Sequence, residues 1–400
     1  MRAANLSWLH VSDFHLGKDP AAQKQTCDRI LDEIYSVTAS WREPDFIFIT
    51  GDVANRGLSE EFEAFDKNFI VPLVDKLGDK FLARVFVVPG NHDVDRTQAK
   101  AVRRYDVLQE VPNFLDPTPE GASERAPLFP RFVAFNECQW TFENVGWVTA
   151  SDGFLARKIQ LDETNVGVLC LNTAWLSGGD DDRYRLTPGK DIVEGGLQQL
   201  SGCRPIFVLG HHPLDWLTVA DAKNIRAMLS KREAIYLHGH LHKTEQSALY
   251  SGTRRLVTLQ AGCAFFARAD EKWVTRLLWG GMNQPNSEIF LQPKKWMPEH
   301  HEWGLDADAF PDSLRAAGSD YWIIPSLAPV GQTADQSSIH KQIAKRDASP
   351  PEGWVMVDAE YLSQQVPETQ DVRILQYFDG RVPIWGRYPF EENPTKSHSR

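Results

Sequence analysis

Short, continuous runs of apolar residues recur along the first three quarters of the chain. Most of them lack the polar alternation of a half-exposed strand, and continuous apolar runs of this length are typical of strands that are covered on both faces. Eight runs predict strands, at Trp8–Ser12, Phe46–Thr50, Arg84–Val88, Val166–Asn172, Ile206–Leu209, Ile235–His238, Leu256–Gln260 and Glu288–Leu291.

Helical patterns fall between these runs. A second helix is expected to begin at Ser59, a favourable N-cap that is followed by two acidic residues. Pro72 is expected to kink or end that helix. The alternation of strands and helices predicts an α/β domain over residues 1–293. The first helix is predicted by a stripe of apolar residues, namely Cys27, Ile30, Leu31, Ile34, Val37 and Trp41.

The pattern changes beyond residue 293. Residues 294–325 are rich in Trp and Pro and are interpreted as an extension of the domain. Residues 326–352 are polar and alanine-rich, which predicts a linker. Residues 353–400 are interpreted as a docking segment or tail, through which the chain could contact a protein partner or a second copy.

Two segments interrupt the strand–helix alternation. Glu110–Pro130 is proline-rich, and Ser177–Gly189 is a polar loop with three consecutive aspartates. Long irregular insertions are often binding loops or lids. For the aspartate run a solvated loop is the preferred interpretation, because charge runs usually face solvent.

Composition narrows the range of partners and compartments. The formal net charge of −11 produces no overall field that favours nucleic acid or an anionic membrane, although a local basic patch remains compatible with it. No apolar run is long enough to span a bilayer, and no signal peptide is visible. The five cysteines are scattered, mostly within apolar segments, and predict reduced thiols in a cytoplasmic protein.

Polar motifs follow most of the predicted strands. The carboxyl ends of parallel strands meet at one edge of a sheet, where α/β folds bind ligands. Carboxylate and imidazole groups suit divalent metals, and two ions about 3.5–4 Å apart need a bridging anionic ligand such as Asp52. The sequence therefore predicts a two-metal site built from Asp13-Phe14-His15, Gly51-Asp52, Gly90-Asn91-His92-Asp93, Gly210-His211-His212-Pro213 and His240-Leu241-His242.

This ordered set resembles the calcineurin-like metallophosphoesterases, whose pattern is D-x-H, G-D, G-N-H-[DE], G-H and G-H-x-H, over about residues 6–262. The resemblance implies an α/β fold with two mixed β-sheets sandwiched between helical layers, followed here by a C-terminal extension. It implies His92 as the catalytic histidine. It also implies one ion held by Asp13, His15, Asp52 and His242, and a second held by Asp52, Asn91, His211 and His240.

Three neighbouring residues are less sharply assigned. His212 could replace His211 as a ligand, but in this family the ligand usually follows the glycine directly, so His212 is expected to line the pocket. The segment around Asn55 resembles the G-D-x-x-D-R-G stretch of Ser/Thr protein phosphatases, where an aspartate at that position orients the catalytic histidine. Asn55 cannot do so by charge and becomes a pocket candidate, while Arg56 is expected to grip phosphate.

Three functions remain open. The motifs are most similar to class III cyclic-nucleotide phosphodiesterases, which favours hydrolysis of a nucleotide-like phosphodiester by a hydroxide that bridges two ions. Mn or Fe are the expected ions, and the donor set also accepts Zn or Ni. The opening segment Leu9–Gly17 also resembles double-strand-break repair nucleases, which suggests a nuclease. Such a nuclease could be the effector part of a larger defence-type assembly. No concentrated Lys/Arg stripe supports that alternative. The third is a metal-binding interaction module without catalysis.

Overall fold

The computed structural model describes residues 4–99, 113–138, 146–179, 182–251, 254–265, 274–284, 287–326, 355–357 and 384–386. The chain divides into two compact units, Met1–Ala328 and Pro329–Arg400.

The described part of the first unit contains thirteen strands. They are β1 (Leu6–Val11), β2 (Phe46–Ile49), β3 (Val85–Val87), β4 (Phe154–Leu161), β5 (Thr164–Leu171), β6 (Ile206–Leu209), β7 (Ile235–His238), β8 (Glu245–Ser251), β9 (Arg254–Gln260), β10 (Arg276–Asn283), β11 (Glu288–Met297), β12 (Glu302–Leu305) and β13 (Trp322–Ile324).

These strands form two mixed sheets. The first has the order β12-β11-β10-β1-β2-β3, with β13 beside β11, and its β1, β2 and β3 are parallel. The second has the order β4-β5-β6-β7-β9-β8, with β5, β6, β7 and β9 parallel and the two edge strands antiparallel. Each sheet therefore presents a set of parallel strands whose carboxyl ends can share a ligand.

Aromatic side chains join the two sheets face to face. The ring of Phe207 on β6 lies 5.0 Å from the ring of Trp8 on β1 and 4.9 Å from that of Phe48 on β2. Trp8 in turn needs a glycine opposite it, because a Cβ on Gly280 of β10 would lie 2.0 Å from its ring. The core between the sheets thus fixes the strand ends of one sheet relative to those of the other.

Helices lie against both sheets, which confirms the predicted architecture. The Trp303 indole on β12 donates a hydrogen bond to the main-chain carbonyl of Arg29 in the long first helix, and α6 and α7 contact strands of the second sheet. The helices are α1 (Pro20–Ser40), α2 (Ser59–Phe65), α3 (Val71–Leu77), α4 (Pro119–Arg125), α5 (Val133–Glu137), α6 (Lys190–Gln199) and α7 (Val219–Lys231).

Helix α2 begins at Ser59 as predicted, but two details of that prediction are corrected. The residue that caps this helix is Leu58 rather than Ser59, and the Glu61 carboxylate accepts the hydrogen bond of the Leu58 amide. Pro72 does not end the helical path. It lies in the first turn of α3, where a proline needs no amide hydrogen, directly after the π-helical residues Asp66–Ile70.

The first sheet extends beyond the predicted domain boundary at residue 293. Strand β11 runs through that position, and β12 and β13, within the predicted extension 294–325, pair with it. Arg255 on β9 also donates hydrogen bonds to the carbonyls of Ile324 and Pro325. Residues up to Pro325 therefore belong to the packed body of the first unit.

The predicted linker 326–352 and tail 353–400 lie almost entirely outside the described residues. Within the second unit, strands β14 (Val355–Val357) and β15 (Ile384–Gly386) form an antiparallel pair.

Among the helices in the described ranges, none has the length and apolar character that crossing a membrane requires.

Candidate metal centre

The five motifs come from the carboxyl ends of five strands in both sheets. Asp13 and His15 follow β1, Asp52 follows β2, Asn91 follows β3, His211 follows β6, and His240 and His242 follow β7. The first five of these side chains are at most 2% exposed, and the last two are half-buried. All seven residues predicted as metal ligands therefore lie on the loops where the two sheets meet.

The backbone at these positions is unusual. Left-handed φ angles are uncommon for residues other than glycine, cost about 1–3 kcal/mol each and persist where the surroundings enforce them, often at functional sites. Five of the seven predicted ligands adopt such angles, namely Asp13 (61°), His15 (47°), Asp52 (53°), His240 (74°) and His242 (58°).

Close packing of the loops explains the glycine that precedes Asn91. A Cβ on Gly90 would lie 2.2 Å from Oδ1 of Asp52 and 2.5 Å from its main-chain nitrogen. The loops after β2 and β3 can therefore approach each other only if this position is glycine.

One group of donor atoms surrounds the Asn91 side chain. Its Oδ1 lies 3.0 Å from Nε2 of His211 and 3.1 Å from Nδ1 of His240, and those two nitrogens are 3.3 Å apart. The Asp52 Oδ2 is 3.3 Å from the same His211 nitrogen. Nδ1 of His211 donates to the Thr50 carbonyl at 2.7 Å, so Nε2 is the nitrogen that faces the group, as in metal-bound histidines.

A second group surrounds the Asp13 carboxylate. Its Oδ1 lies 3.3 Å from Nε2 of His242 and 3.9 Å from Nε2 of His15. Ligand atoms of His15, Asp52 and His92 lie within 4.8 Å of one another, as do those of Asp13, Asp52 and His211. Asp52 thus belongs to both groups, as a bridging carboxylate must.

The buried polar atoms fit divalent ions. Asp13 Oδ1 and both ring nitrogens of His15 are buried and have no hydrogen-bond partner within the described structure. Buried polar groups are nearly always satisfied, and a ligand is one way to satisfy them. Oxygen and nitrogen donors, with a shared carboxylate, form a set that suits Mn, Fe, Zn or Ni.

The site carries strongly interacting charges. Burial alone would lower the pKa of His211, but the Asp52 carboxylate outweighs it and raises this pKa to about 9. Burial would likewise raise the pKa of Asp13, but His242 outweighs it and lowers this pKa to about 2. Asp52 has a pKa well below its usual range, because His211 outweighs its burial. The carboxylates are therefore ionised and ready to bind cations.

Asp93, whose motif alone did not indicate a role, connects two loops of the site. Its carboxylate accepts hydrogen bonds from the amides of Ala54 at 2.7 Å and Gly90 at 2.8 Å. It thereby ties the loop after β2 to the loop after β3. Complete burial and the nearby Asp52 charge raise the Asp93 pKa to about 8.

His92 lies at the edge of the site and has an orienting partner other than a carboxylate. Its Nδ1 hydrogen-bonds to the main-chain carbonyl of Asn55 at 2.9 Å, and its amide donates to Asp52 Oδ1 at 2.8 Å. The missing aspartate at position 55 is thus replaced by a backbone oxygen. Because a carbonyl can only accept, Nδ1 carries the hydrogen and Nε2 of the neutral ring is free of it.

Arg56 is less directly placed than its motif predicts. Its Nε pairs with the buried Glu61 carboxylate at 3.1 Å, and its side chain is 60% exposed. A second arginine that the motif analysis did not select, Arg96, donates through Nη2 to the main-chain carbonyl of Asn91 at 3.4 Å.

His212 is buried beside the centre. Its Nδ1 lies 2.9 Å from Oγ1 of Thr173, which also accepts from the amides of His211 and His212, while its Nε2 has no hydrogen-bond partner within the described structure. Its ring is 4.7 Å from that of His240. Thr173 was missed in the sequence, where its only signal is the polar pair Asn172-Thr173 at the end of a predicted strand.

Cys263 is another residue that the motifs do not contain. Its sulfur lies within 4.8 Å of ligand atoms of His15 and His242, and its thiol hydrogen-bonds to the Phe265 carbonyl at 2.8 Å. Burial raises the pKa of this thiol well above its usual range. It therefore packs beneath the site as a neutral group.

The chain is similar to a curated relative. The chain is 23% identical, over 313 residues, to the uncharacterized metallophosphoesterase-like protein YydB of Bacillus subtilis (strain 168). The match covers 74% of this chain and 60% of that protein, so the chain spans well under two thirds of the relative's length.

The solved structures to which the chain is similar include two proteins called Vps29. The protein from Cryptosporidium parvum is 11% identical, with a TM-score of 0.32 and coverage of 76% of this chain and 97% of that one. The Zn²⁺ complex from Entamoeba histolytica is 11% identical, with a TM-score of 0.30 and coverage of 75% and 97%. Likenesses this distant say nothing about activity.

The family model for calcineurin-like phosphoesterases matches residues 6–244, which include every predicted metal ligand. With the ordered motifs and the two-sheet fold, this match shows that the chain belongs to the calcineurin-like phosphoesterases.

Proposed function

We propose that the chain is a dinuclear-metal phosphoesterase that hydrolyses a phosphodiester bond of a nucleotide or cyclic nucleotide. The observation that supports this most strongly is the convergence of two donor groups that share one carboxylate, that of Asp52. Membership of the calcineurin-like phosphoesterases supports the use of divalent metals and the cleavage of phosphoric esters.

Two sets of residues would hold the two ions. Asp13, His15 and His242 would hold one ion, and Asn91, His211 and His240 the other, with Asp52 between them. Two divalent ions bound here would lower the pKa of a water molecule between them and neutralise negative charge on the phosphate. The loop hydrogen bonds of Asp93 keep the donors in place before any ion arrives, which limits reorganisation on binding.

His92 is proposed to act on the leaving group. Its ring is half-buried, T-shaped against the His15 ring at 4.8 Å, and held through Nδ1 by the Asn55 carbonyl. This leaves Nε2 to bind a phosphate oxygen or, once protonated, to give its proton to the leaving oxygen.

A diester is the better-matched substrate. A monoester dianion carries more charge than a diester and needs more cationic groups around the phosphate. Arg56 is the cation that the motifs supply, and its Nε is engaged with Glu61, so it can offer only part of its guanidinium to substrate.

A metal-supplemented hydrolysis screen tests this function. Protein loaded separately with Mn²⁺, Fe²⁺, Zn²⁺ or Ni²⁺ would be assayed on cyclic nucleotides, bis-p-nitrophenyl phosphate and p-nitrophenyl phosphate. We expect Mn²⁺ or Fe²⁺ to support the fastest turnover and both diester classes to exceed the monoester. No hydrolysis of any ester with any ion, in protein that binds two ions, would leave the interaction module as the better explanation.

A nuclease is the second candidate, because the segment Leu9–Gly17 resembles the opening motif of repair nucleases. The same screen separates the two when single-stranded and double-stranded DNA and RNA are added. Faster cleavage of a polynucleotide than of any small diester would favour the nuclease.

A further inference from the structure

A tryptophan covers one end of the candidate metal centre. The Trp216 ring lies 4.1 Å, centroid to centroid, from the ring of His240 and 6.2 Å from that of His212. Trp216 is only partly buried, although it contacts a proposed ligand.

The surrounding loops hold Trp216 in this position. Its amide donates to the Pro213 carbonyl at 3.0 Å, within the 3-10 turn Leu214–Trp216, and its carbonyl accepts the Tyr184 amide at 2.8 Å. The Tyr184 side chain is 51% exposed, and the Arg183 guanidinium lies 5.0 Å from its ring. Two solvent-accessible aromatic residues, Trp216 and Tyr184, thus lie on loops that a backbone hydrogen bond joins, and we call this pair the aromatic wall.

Tyr184 lies two residues after Asp182, the last aspartate of the run, and this aspartate is not solvated. The Asp182 side chain is 1% exposed and accepts a hydrogen bond from the Gly178 amide at 3.0 Å. This hydrogen bond fixes Asp182 relative to Gly178. The alternative of a binding loop, set aside for the sequence alone, therefore gains support.

We propose that the aromatic wall is a stacking platform for the nucleobase of the substrate, with Trp216 as its principal residue. This rests on the proposed function and specifies its substrate class as a diester that carries an unpaired base. Every base has an aromatic face, so stacking on such a ring tolerates any base and requires that it be unpaired. The Trp216 ring contacts His240, a proposed metal ligand. In a bound nucleotide, one sugar would therefore link a base stacked on Trp216 to a phosphate at the metals.

The charge of the protein favours a small substrate over a long strand. Binding a polynucleotide depends on many phosphate contacts from Lys and Arg, whereas this chain has a formal net charge of −11. Arg183, the cation on the wall, lies 3.7 Å from the Asp215 carboxylate and is partly neutralised by it. Stacking of one base can supply affinity where charge does not.

Two ligands that differ only in the base provide the direct test. Adenosine 5′-monophosphate and ribose 5-phosphate would be titrated calorimetrically into the full-length protein loaded with Mn²⁺. We expect the nucleotide to bind roughly tenfold more tightly, the scale of one base on one aromatic ring. Trp216→Leu should abolish this difference and leave ribose 5-phosphate binding unchanged, whereas Trp216→Phe should retain most of it.

Matched diesters extend the test to turnover. The methyl esters of the same two phosphates would be compared as substrates, and Trp216→Leu should raise KM for the adenosine ester with little change in kcat. Leu249→Ser, on an exposed leucine of β8, is the control and should change neither the affinity for the two phosphates nor KM for their methyl esters. If Trp216→Leu proves insoluble, Tyr184→Ala takes its place, and a smaller but selective loss of nucleotide affinity is expected.

Several results would overturn the platform. One is equal affinity for the two phosphates in the unaltered protein. Another is an equal loss of affinity for both phosphates in Trp216→Leu together with loss of bound metal. That result would make Trp216 a positioning residue for His240. A third, if Tyr184→Ala carries the test, is an unchanged affinity ratio. Absence of hydrolysis of either methyl ester would count against the proposed function, and the calorimetric difference would still decide on the platform.

Discussion

The carboxylate of Asp52 lies 3.3 Å from Nε2 of His211, although Asp52 follows a strand of the first sheet and His211 follows a strand of the second. This contact spans the junction of the two sheets. Neither sheet alone supplies a complete set of donors, so the site exists only because the aromatic core holds the sheets face to face.

Replacing the shared carboxylate should be more damaging than replacing a ligand of one ion. Asp52→Asn keeps the shape of the side chain but removes the charge that both donor groups use. We expect turnover on a small diester to fall by at least about 10²–10³-fold, the scale for losing one preorganised electrostatic group. His242→Asn, at the half-buried edge, should cost less. Steady-state kinetics with elemental analysis of each variant would check this, and a larger loss in His242→Asn would contradict the bridging role.

Loss of His92 should separate catalysis from metal binding. The ring contacts the Asn55 carbonyl, and the amide that bonds Asp52 remains in any variant. His92→Ala should therefore lower kcat by about 10²–10⁴-fold, as for a lost general acid, with metal content nearly unchanged. Asn91→Ala is the matched comparison and should lose bound metal. An empty site in His92→Ala would show instead that His92 is a ligand.

Metal binding should release protons. The pKa of His211 is about 9, raised from 6.5 by Asp52 against the effect of burial, so the ring is protonated at pH 7 before metal binds. A coordinating imidazole must be neutral, so metal affinity should rise with pH up to about 9. Calorimetry in buffers of different ionisation enthalpy should detect release of about one proton or more at pH 7.

The same shift has a consequence for the metal-free protein. Because the folded pKa of His211 is above its ordinary value, its stabilising contribution is fully present below pH 6.5 and is lost as the pH rises through about 9. His212→Gln is the control for proton release and for the pH dependence of stability, since burial keeps the pKa of His212 well below 6.5 and its ring neutral. Proton release that disappeared in this control would contradict the assignment to His211.

Much of the site could be predicted from the sequence because each donor follows a buried strand within a short, recognisable motif. The loop conformations could not be. The left-handed φ of Asp13 and the carbonyl partner of His92 depend on which loops meet, and neither leaves a residue-type signal. The sequence did not indicate Trp216 and Thr173 for the same reason, since their positions beside His240 and His212 arise only when the loops after β5, β6 and β7 come together at the edge of the second sheet.

Strands with mixed patterns were the main omission from the fold. A continuous apolar run marks a strand covered on both faces, but β4 has two buried positions at its start and only partly buried or exposed positions after them. Strand β10 contains Gly280-Gly281, residues that normally weaken a strand prediction, and Gly280 is needed there because the Trp8 ring occupies the space of its side chain. In β11 the pattern turns polar at Lys294, which placed the predicted boundary inside the strand.

Gly90 offers a test of loop packing that is independent of the donor atoms. In Gly90→Ala the new methyl group would lie 2.2 Å from Oδ1 of Asp52, so the loops after β2 and β3 must separate. We expect a loss of about 1–3 kcal/mol in the free energy of unfolding, typical of overpacking, and weaker metal binding. Gly179→Ala, with open space around its Cβ, should change neither quantity. Denaturant titration would measure both variants, and equal stability would contradict the close approach.

The final prediction concerns how much of the C-terminal region the catalytic body needs. No predicted metal donor lies beyond His242, but β13 pairs with β11, and Trp322 and Ile324 are at most 2% exposed. A chain ending at Ser326 keeps these contacts, so its metal content, turnover on a small diester and thermal midpoint should match those of the full chain. A large fall in its midpoint would show that residues after 326 complete the core.

A chain ending at Gln292 is the matched comparison for that truncation. It cuts β11 and removes β12 and β13, and with them the apolar surface that Trp322 and Ile324 bury. Because burying each large apolar side chain contributes about 1.5–3 kcal/mol, this chain should be destabilised by several kcal/mol or be insoluble. A Gln292 truncation with an unchanged midpoint would instead place the boundary of the body near residue 293 and make the pairing of β13 dispensable.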